Sequence, residues 1–128
     1  MRKAQVATEF MLMVGLAMIV IFAFLAVIYV LISDYYEEKN MKKLEDLGYS
    51  IQNELILAAE VEPGYERTII IPDKIGSADY TISIKNRDII LRYRQTDLLF
   101  SIPNVTNEIT TKGSHTISKH DANTIILN

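Results

Sequence analysis

The chain opens with a long apolar run and then changes its hydrophobic period twice. Residues 10–32 form a stretch of 23 residues without a charged side chain, and Glu9 directly precedes it. At about 1.5 Å per residue, a helix of that length spans roughly 35 Å, which is enough to cross the hydrocarbon core of a bilayer. We therefore expect a membrane-length helix over this run, with a carboxylate at its beginning.

An amphipathic helical pattern follows the apolar run. Five apolar residues recur at spacings of three and four, namely Leu44, Leu47, Ile51, Leu55 and Ala58. Such spacing is typical of one stripe along a helix. Gly48 is expected to weaken this helix by about 1 kcal/mol relative to alanine without breaking it. The pattern predicts one helix from about Gln5 to about Glu60, ended by Pro63-Gly64, and the alternative is two helices joined near Ser33-Asp34.

After the proline the period becomes two, which indicates half-buried strands. The strand candidates are "RTIIIP", "YTISI", "DIILRYR", "DLLFSI" and "NTIILN". Asn86-Arg87 is predicted to form a tight hairpin, and Gly113-Ser114 a second one. About 65 residues of strand and turn would make a thin core by themselves, so we expect the sheet to cover the apolar stripe of the helix. The predicted fold class is α+β, with one long N-terminal helix and a small C-terminal head of four to six antiparallel strands packed on it.

The charges that flank the apolar run predict its orientation. Arg2 and Lys3 precede the run, whereas Asp34, Glu37 and Glu38 follow it. The positive-inside rule then places the N-terminus in the cytoplasm and the rest of the chain outside. A secretory signal peptide is the first alternative, but its apolar region would be shorter and would end in small residues at a cleavage site.

The distribution of charge excludes a nucleic-acid partner. From Asp34 to Glu62 there are eight acidic and three basic residues, and from Pro63 to Asn128 there are seven acidic and eight basic ones. The full chain carries a net charge of −3. Because no block is strongly basic, we expect no binding to DNA or RNA.

The side chains that could carry chemistry are few. Cysteine is absent, and the two histidines, His115 and His120, lie in a polar stretch that does not favour a metal site. The sequence shows no nucleophile with a base and no glycine-rich phosphate loop, so we predict neither enzymatic activity nor a cofactor. The sequon Asn104-Val105-Thr106 makes Asn104 a candidate for N-glycosylation.

The beginning of the chain, "RKAQVATEF", resembles the class III signal of archaeal type IV pilins, often written QxSxE. Ala7 stands where that pattern has serine. The resemblance implies that a prepilin peptidase removes a leader, residues 1–4, between Ala4 and Gln5. It also implies that Glu9 and Phe10 are the positions that govern assembly.

The resemblance implies the following organisation and function. After the leader come a transmembrane and filament-core helix over residues 5–33, its amphipathic continuation over 34–62 and a β head over 63–128. Such a protein is a structural subunit of a pilus-like surface filament for adhesion. It resides in the cell membrane first and then in an extracellular homopolymer held by the N-terminal helices, and it is assembled by a pilus ATPase and a membrane platform. The alternatives are a minor pilin or pseudopilin of a secretion or pilus machine, and a single-pass anchor that displays a small β binding domain.

The pilin interpretation gives a physical reason for a carboxylate at position 9. Removal of the leader would expose a new α-amine on Gln5, and a carboxylate in an apolar medium is tolerable when it is paired with a cation. A wrong axial stagger between helices would leave both charges unpaired, so Glu9 would set the register, as single polar residues do in coiled coils. The alternative is an acid placed at a helix N-terminus by the macrodipole alone.

Overall fold

The computed structural model describes residues 2–121 and 124–128, with side chains from Ala4 onward. Within these residues the chain forms one helix followed by seven strands, which confirms the predicted α+β class. The elements are α1 (Arg2–Glu60), β1 (Glu66–Ile71), β2 (Thr81–Lys85), β3 (Asp88–Tyr93), β4 (Thr96–Ser101), β5 (Val105–Thr106), β6 (Gly113–Asp121) and β7 (Thr124–Leu127).

A single helix extends from Arg2 to Glu60, so the alternative of two helices is wrong. The helix begins before Gln5, and residues 2–4 of the predicted leader are helical; Met1 lies outside the described residues. The chain divides into two compact units, Met1–Glu38 and Lys39–Asn128.

The described residues of the first unit are all helical, and nearly all of their side chains are exposed. Every described side chain from Ala4 to Tyr36 is exposed. The helix is long and apolar enough to cross a membrane, and none of its most apolar window is buried within the protein. It is therefore compatible with membrane insertion.

The second unit contains two sheets. One has the strand order β1-β6-β7-β5 and the other the order β2-β3-β4. Neighbouring strands are antiparallel except for β5 and β7, which pair in parallel. The seven described strands exceed the predicted four to six, and the predicted antiparallel pairing holds for the described strands except between β5 and β7.

The missed strands have a physical explanation. The predicted hairpin at Gly113-Ser114 is wrong, because Gly113 opens β6. The first half of β6 is polar and therefore lacks an alternating pattern, but β1 and β7 pair with it on both sides and satisfy its backbone. Strand β5 has two residues, too few to show a period. Asn123, the first residue of the predicted strand "NTIILN", lies outside the described residues, and β7 begins at Thr124.

The apolar stripe of the helix is buried under the sheets of the second unit, as predicted. Leu44, Ile51, Leu55 and Ala58 are each at most 3% exposed, and Leu47 is partly buried. They belong to one cluster with apolar residues from both sheets, among them Ile84, Ile89, Leu91, Ile117 and Leu127. Burial of a side chain of this size contributes about 1.5–3 kcal/mol.

Gly48 makes room for an aromatic ring, a role that its low helix propensity did not indicate. A Cβ atom at this position would lie 2.2 Å from Cε2 of Phe100. The Phe100 ring is 7% exposed and also meets the Tyr49 ring edge-to-face, with 5.1 Å between the centroids. Glycine therefore allows an aromatic ring of β4 to pack directly on the helix backbone.

Lys119 in β6 binds the C-terminal end of α1. The last turn of the helix contains no basic residue. Instead the Nζ atom of Lys119, a residue only 5% exposed, donates hydrogen bonds of 2.6 Å to the carbonyl oxygens of Ala59 and Val61. A cation at this position compensates both the unpaired carbonyl groups and the negative end of the helix dipole.

Candidate membrane and assembly segment

The predicted processing site lies inside α1. Ala4 and Gln5 are both exposed, and the carbonyl oxygen of Ala4 accepts a hydrogen bond of 3.0 Å from the Thr8 hydroxyl. Cleavage after Ala4 would leave the helix from Gln5 onward with a free α-amine at its positive end.

Glu9 lies one helical turn beyond Gln5. Four residues of α-helix advance about 6 Å and return to the same face, so the two positions are neighbours on the helix surface. Glu9 is exposed, and it has no ion-pair partner among the side chains that the structure describes. A cation placed at Gln5 would be within reach of this carboxylate.

Phe10 begins a helical surface that is apolar on all sides. The large apolar side chains of residues 10–32 are 45% to 76% exposed, and Phe10 itself is 68% exposed. An exposed apolar surface of this extent marks a contact with lipid or with another protein. A helix that is apolar all round is typical of a membrane or of the interior of a helix bundle.

The small residues of this segment do not form one stripe. At about 100° per residue, Gly15 and Ala26 fall on nearly the same face of the helix, whereas Ala17 and Ala23 fall on other faces. A Cβ atom added at Gly15 would have no atom within 4 Å. These residues allow close approach of neighbouring helices from several directions, which suits a bundle better than a single dimer seam.

The candidate glycosylation site lies on the surface of the second unit. Asn104 is exposed and directly precedes β5. The backbone nitrogen of Val105 donates a hydrogen bond of 2.8 Å to the carbonyl oxygen of Asn86, and Thr106 is exposed. The sequon is thus held on the protein surface, and its modification stays a prediction.

A polar cluster around Tyr80 was not visible in the sequence. The Tyr80 hydroxyl donates to the carbonyl oxygen of Pro72 at 2.5 Å, and the Lys112 ammonium lies 4.6 Å from the centre of the Tyr80 ring. Lys112 also binds the Asp79 carboxylate at 2.5 Å, which lowers the pKa of Asp79. Burial raises the pKa of Tyr80 to about 12. The cluster closes the loop between β1 and β2 and does not combine a nucleophile with a base.

A groove of about 180 Å³ lies between α1 and β1, and the ion pair between Glu54 and Arg67 (3.1 Å) lines it. His115 approaches the carbonyl oxygen of Thr111 at 2.9 Å, and His120 is exposed. Among the residues 2–121 and 124–128 no group of three or more His, Asp or Glu side chains is placed to hold a metal ion.

Comparison with protein-family models, curated proteins and solved structures found no match to this chain. A long apolar N-terminal helix followed by a small β-sheet domain is nevertheless a pilin-like architecture, and the exposed segment 10–32 is the feature of the molecule that most requires a partner.

Proposed function

We propose that this protein is a structural subunit of an archaeal type IV pilus-like surface filament that serves attachment. One observation carries the proposal. An exposed helical segment, apolar on every side over residues 10–32, begins directly after a carboxylate that lies one turn from Gln5. A simple membrane anchor requires the apolar segment, but it accounts for the acid only through the helix dipole.

The membrane and the filament core offer the segment two similar environments. Transfer of an apolar helix from lipid into a bundle of like helices gains little from the hydrophobic effect, because lipid tails are as apolar as the side chains. Close packing and polar contacts must then supply the preference for the bundle. The scattered small residues, including Gly15 and Ala26, allow such packing from several sides.

Glu9 supplies the polar contact in this proposal. A charged side chain within the hydrocarbon region costs several kcal/mol unless it is paired. The α-amine of Gln5, freed by cleavage after Ala4, is the partner, either within one chain or between neighbours. Where the pair forms between neighbours, it fixes the axial stagger, since another stagger breaks that contact.

The remaining steps follow from this role. A prepilin peptidase removes residues 1–4, and an assembly ATPase with its membrane platform moves the subunit from the bilayer into an extracellular homopolymer. The head, residues 63–128, is then displayed outside the cell. No catalytic activity is part of the proposal.

The test is the mass of the N-terminal peptide in sheared surface material. Cells are sheared, the polymeric fraction is pelleted, and the N-terminus is determined by mass spectrometry in that fraction and in membranes. An N-terminus at Gln5 in abundant polymer supports the proposal. Trace amounts in a polymer built mainly of another protein would favour a minor subunit instead.

Two other outcomes contradict parts of the proposal. Protein that retains Met1 and is found only in membranes would mean an anchor that carries a β domain. A cyclised Gln5 in the polymer would keep the filament but remove the charged amine, and with it the role assigned to Glu9.

A further inference from the structure

Tyr29 is the one residue between positions 10 and 32 whose side chain carries a hydroxyl, an amide or a charge. It is 76% exposed, and no group within residues 2–121 and 124–128 forms a hydrogen bond with its hydroxyl. A hydroxyl surrounded by hydrocarbon would stay without a partner, which costs free energy. Tyrosine is therefore enriched at the membrane boundary, where the ring contacts acyl chains and the hydroxyl reaches headgroups or water.

Helix geometry sets the distance between Tyr29 and Glu9. Tyr29 follows Glu9 by 20 positions in one uninterrupted helix, which corresponds to about 30 Å along the axis. The hydrocarbon core of a typical bilayer is also about 30 Å thick. Every residue between the two is apolar or glycine. The separation of Glu9 and Tyr29 therefore suits one residue at each boundary of the core.

The nearest charged residues beyond these two are separated by the thickness of the whole bilayer. Lys3 and Asp34 are 31 positions apart, or about 46 Å along the helix, and a bilayer with its headgroup layers is about 40–45 Å thick. Tyr36 follows Tyr29 by seven positions and returns to nearly the same face of the helix, where it is 58% exposed. With Tyr29 at the outer boundary of the core, Asp34 and Tyr36 lie at the outer edge of the headgroup layer.

We propose that the Tyr29 hydroxyl binds the lipid headgroups at the outer boundary of the hydrocarbon core and so fixes the depth of α1 in the bilayer. Glu9 then lies at the cytoplasmic boundary, where water and headgroups solvate its carboxylate. This acid needs a partner only when the helix leaves the bilayer for a filament core. The inference rests on the membrane stage of the proposed function and requires no filament.

Single tryptophans test the depth, since the natural chain has none. Val14 and Phe24 lie five positions on either side of Ile19, the midpoint between Glu9 and Tyr29. The full chain carrying Val14→Trp or Phe24→Trp is placed in phosphatidylcholine vesicles, and quenching by lipids brominated at different positions gives the depth of the indole ring. We expect equal depths, each about 7–8 Å from the bilayer centre. A helix centred on the full run 10–32 would instead place the first reporter about 6 Å further from the centre than the second.

Moving the hydroxyl tests whether Tyr29 causes this placement. Tyr29→Leu/Ile32→Tyr moves it by three positions, or about 4.5 Å, and the helix should follow. The Phe24→Trp reporter is then expected about 3 Å from the centre and the Val14→Trp reporter about 12 Å from it. These opposite changes distinguish a shift along the membrane normal from a tilt, which would bring both reporters closer to the centre. The matched control, Leu31→Ile/Ile32→Leu, keeps Tyr29 in place and should leave both depths unchanged.

The outcomes separate this inference from the proposed function. Unequal depths in the parent chain, or depths that do not respond when the hydroxyl is moved, overturn the role of Tyr29. Neither result affects the filament proposal, because the vesicles contain no peptidase and no assembly machinery. Retention of Met1 in protein found only in membranes would refute the filament and leave the role of Tyr29 intact.

A smaller substitution decides the case in which the variant with the moved hydroxyl does not insert. Tyr29→Phe removes only the hydroxyl, so the helix should shift towards the centre of its full apolar run. We expect the Phe24→Trp reporter to lie several Å closer to the bilayer centre than the Val14→Trp reporter in this background. Equal depths of the two reporters without the hydroxyl overturn the proposal.

Discussion

The ring of Phe100 packs on the helix backbone at Gly48, where a Cβ atom would lie only 2.2 Å from the ring. This contact joins β4 to α1 within the second unit. Because Tyr49 holds the same ring from its edge, the ring has little freedom to move aside.

Gly48→Ala is therefore expected to destabilise the protein despite the better helix propensity of alanine. Overpacking costs about 1–3 kcal/mol, against a gain of about 1 kcal/mol in propensity. The measurement is urea unfolding of the full chain in detergent. Gly15→Ala, at a position with open space around it, serves as the control and is expected to leave stability unchanged or slightly higher. A Gly48→Ala variant as stable as the control would contradict the packing argument.

Lys119→Met is expected to lower the free energy of unfolding by about 2–3 kcal/mol. The substitution removes the charged donor, so two carbonyl groups lose a strong hydrogen bond. These are the carbonyls of Ala59 and Val61. Urea unfolding measures the loss, and faster hydrogen exchange in the last turn of α1 would locate it. Lys43→Met removes an exposed lysine from the same helix and should change stability by less than about 0.5 kcal/mol. Equal effects of the two substitutions would refute the capping role.

Stability should fall as the pH rises from about 10 to about 12, because of Tyr80. The pKa of Tyr80 is about 12 in the folded protein and 10.0 as the ordinary value, so between these limits the unfolded chain loses the phenolic proton first. Loss of a proton by the unfolded state alone favours unfolding. The measurement is the denaturation midpoint against pH for wild type and Tyr80→Phe. The phenylalanine variant should be less stable near neutral pH and should show a shallower decline at high pH; parallel curves would contradict the assignment.

Glu9→Gln is expected to leave membrane insertion intact and to reduce filament yield more than tenfold, since an unpaired buried charge costs several kcal/mol. Glu9→Ala should behave in the same way. Insertion is measured by membrane fractionation and yield by the mass of sheared polymer. Glu45→Gln neutralises an exposed acid of the same helix outside the apolar run and should assemble normally. Normal filaments from Glu9→Gln would contradict the hypothesis that Glu9 sets the axial register of the helices.

Asn104→Gln should remove any glycan from the exposed sequon and leave filament assembly unchanged. Intact-mass measurement of the sheared polymer would show a loss of one glycan mass relative to wild type. Asn53→Gln, which changes an exposed asparagine outside a sequon, should leave the mass of the glycan unchanged. A wild-type mass equal to that of the bare polypeptide would refute modification at Asn104.

The strongest elements of this fold follow from local pattern. The uncharged run 10–32, the stripe from Leu44 to Ala58 and the strands around Ile82, Leu91 and Phe100 each repeat a simple hydrophobic period. A hydrophobic period indicates which face of a helix or strand is buried. It can be seen in the sequence because the residues that form the period are close together in the chain. The sequence by itself therefore determined the long helix, the hairpin strands and the existence of an apolar segment that needs a partner.

Other features were decided only by the tertiary structure. The polar strand β6 exists because β1 and β7 satisfy its backbone, and β5 exists because it pairs in parallel with β7. The cap of α1 comes from Lys119, some 60 residues away in the chain. Gly48 is required by a ring from another element. Each of these depends on groups that are distant in sequence and meet only after the chain has folded, so no local period could indicate them.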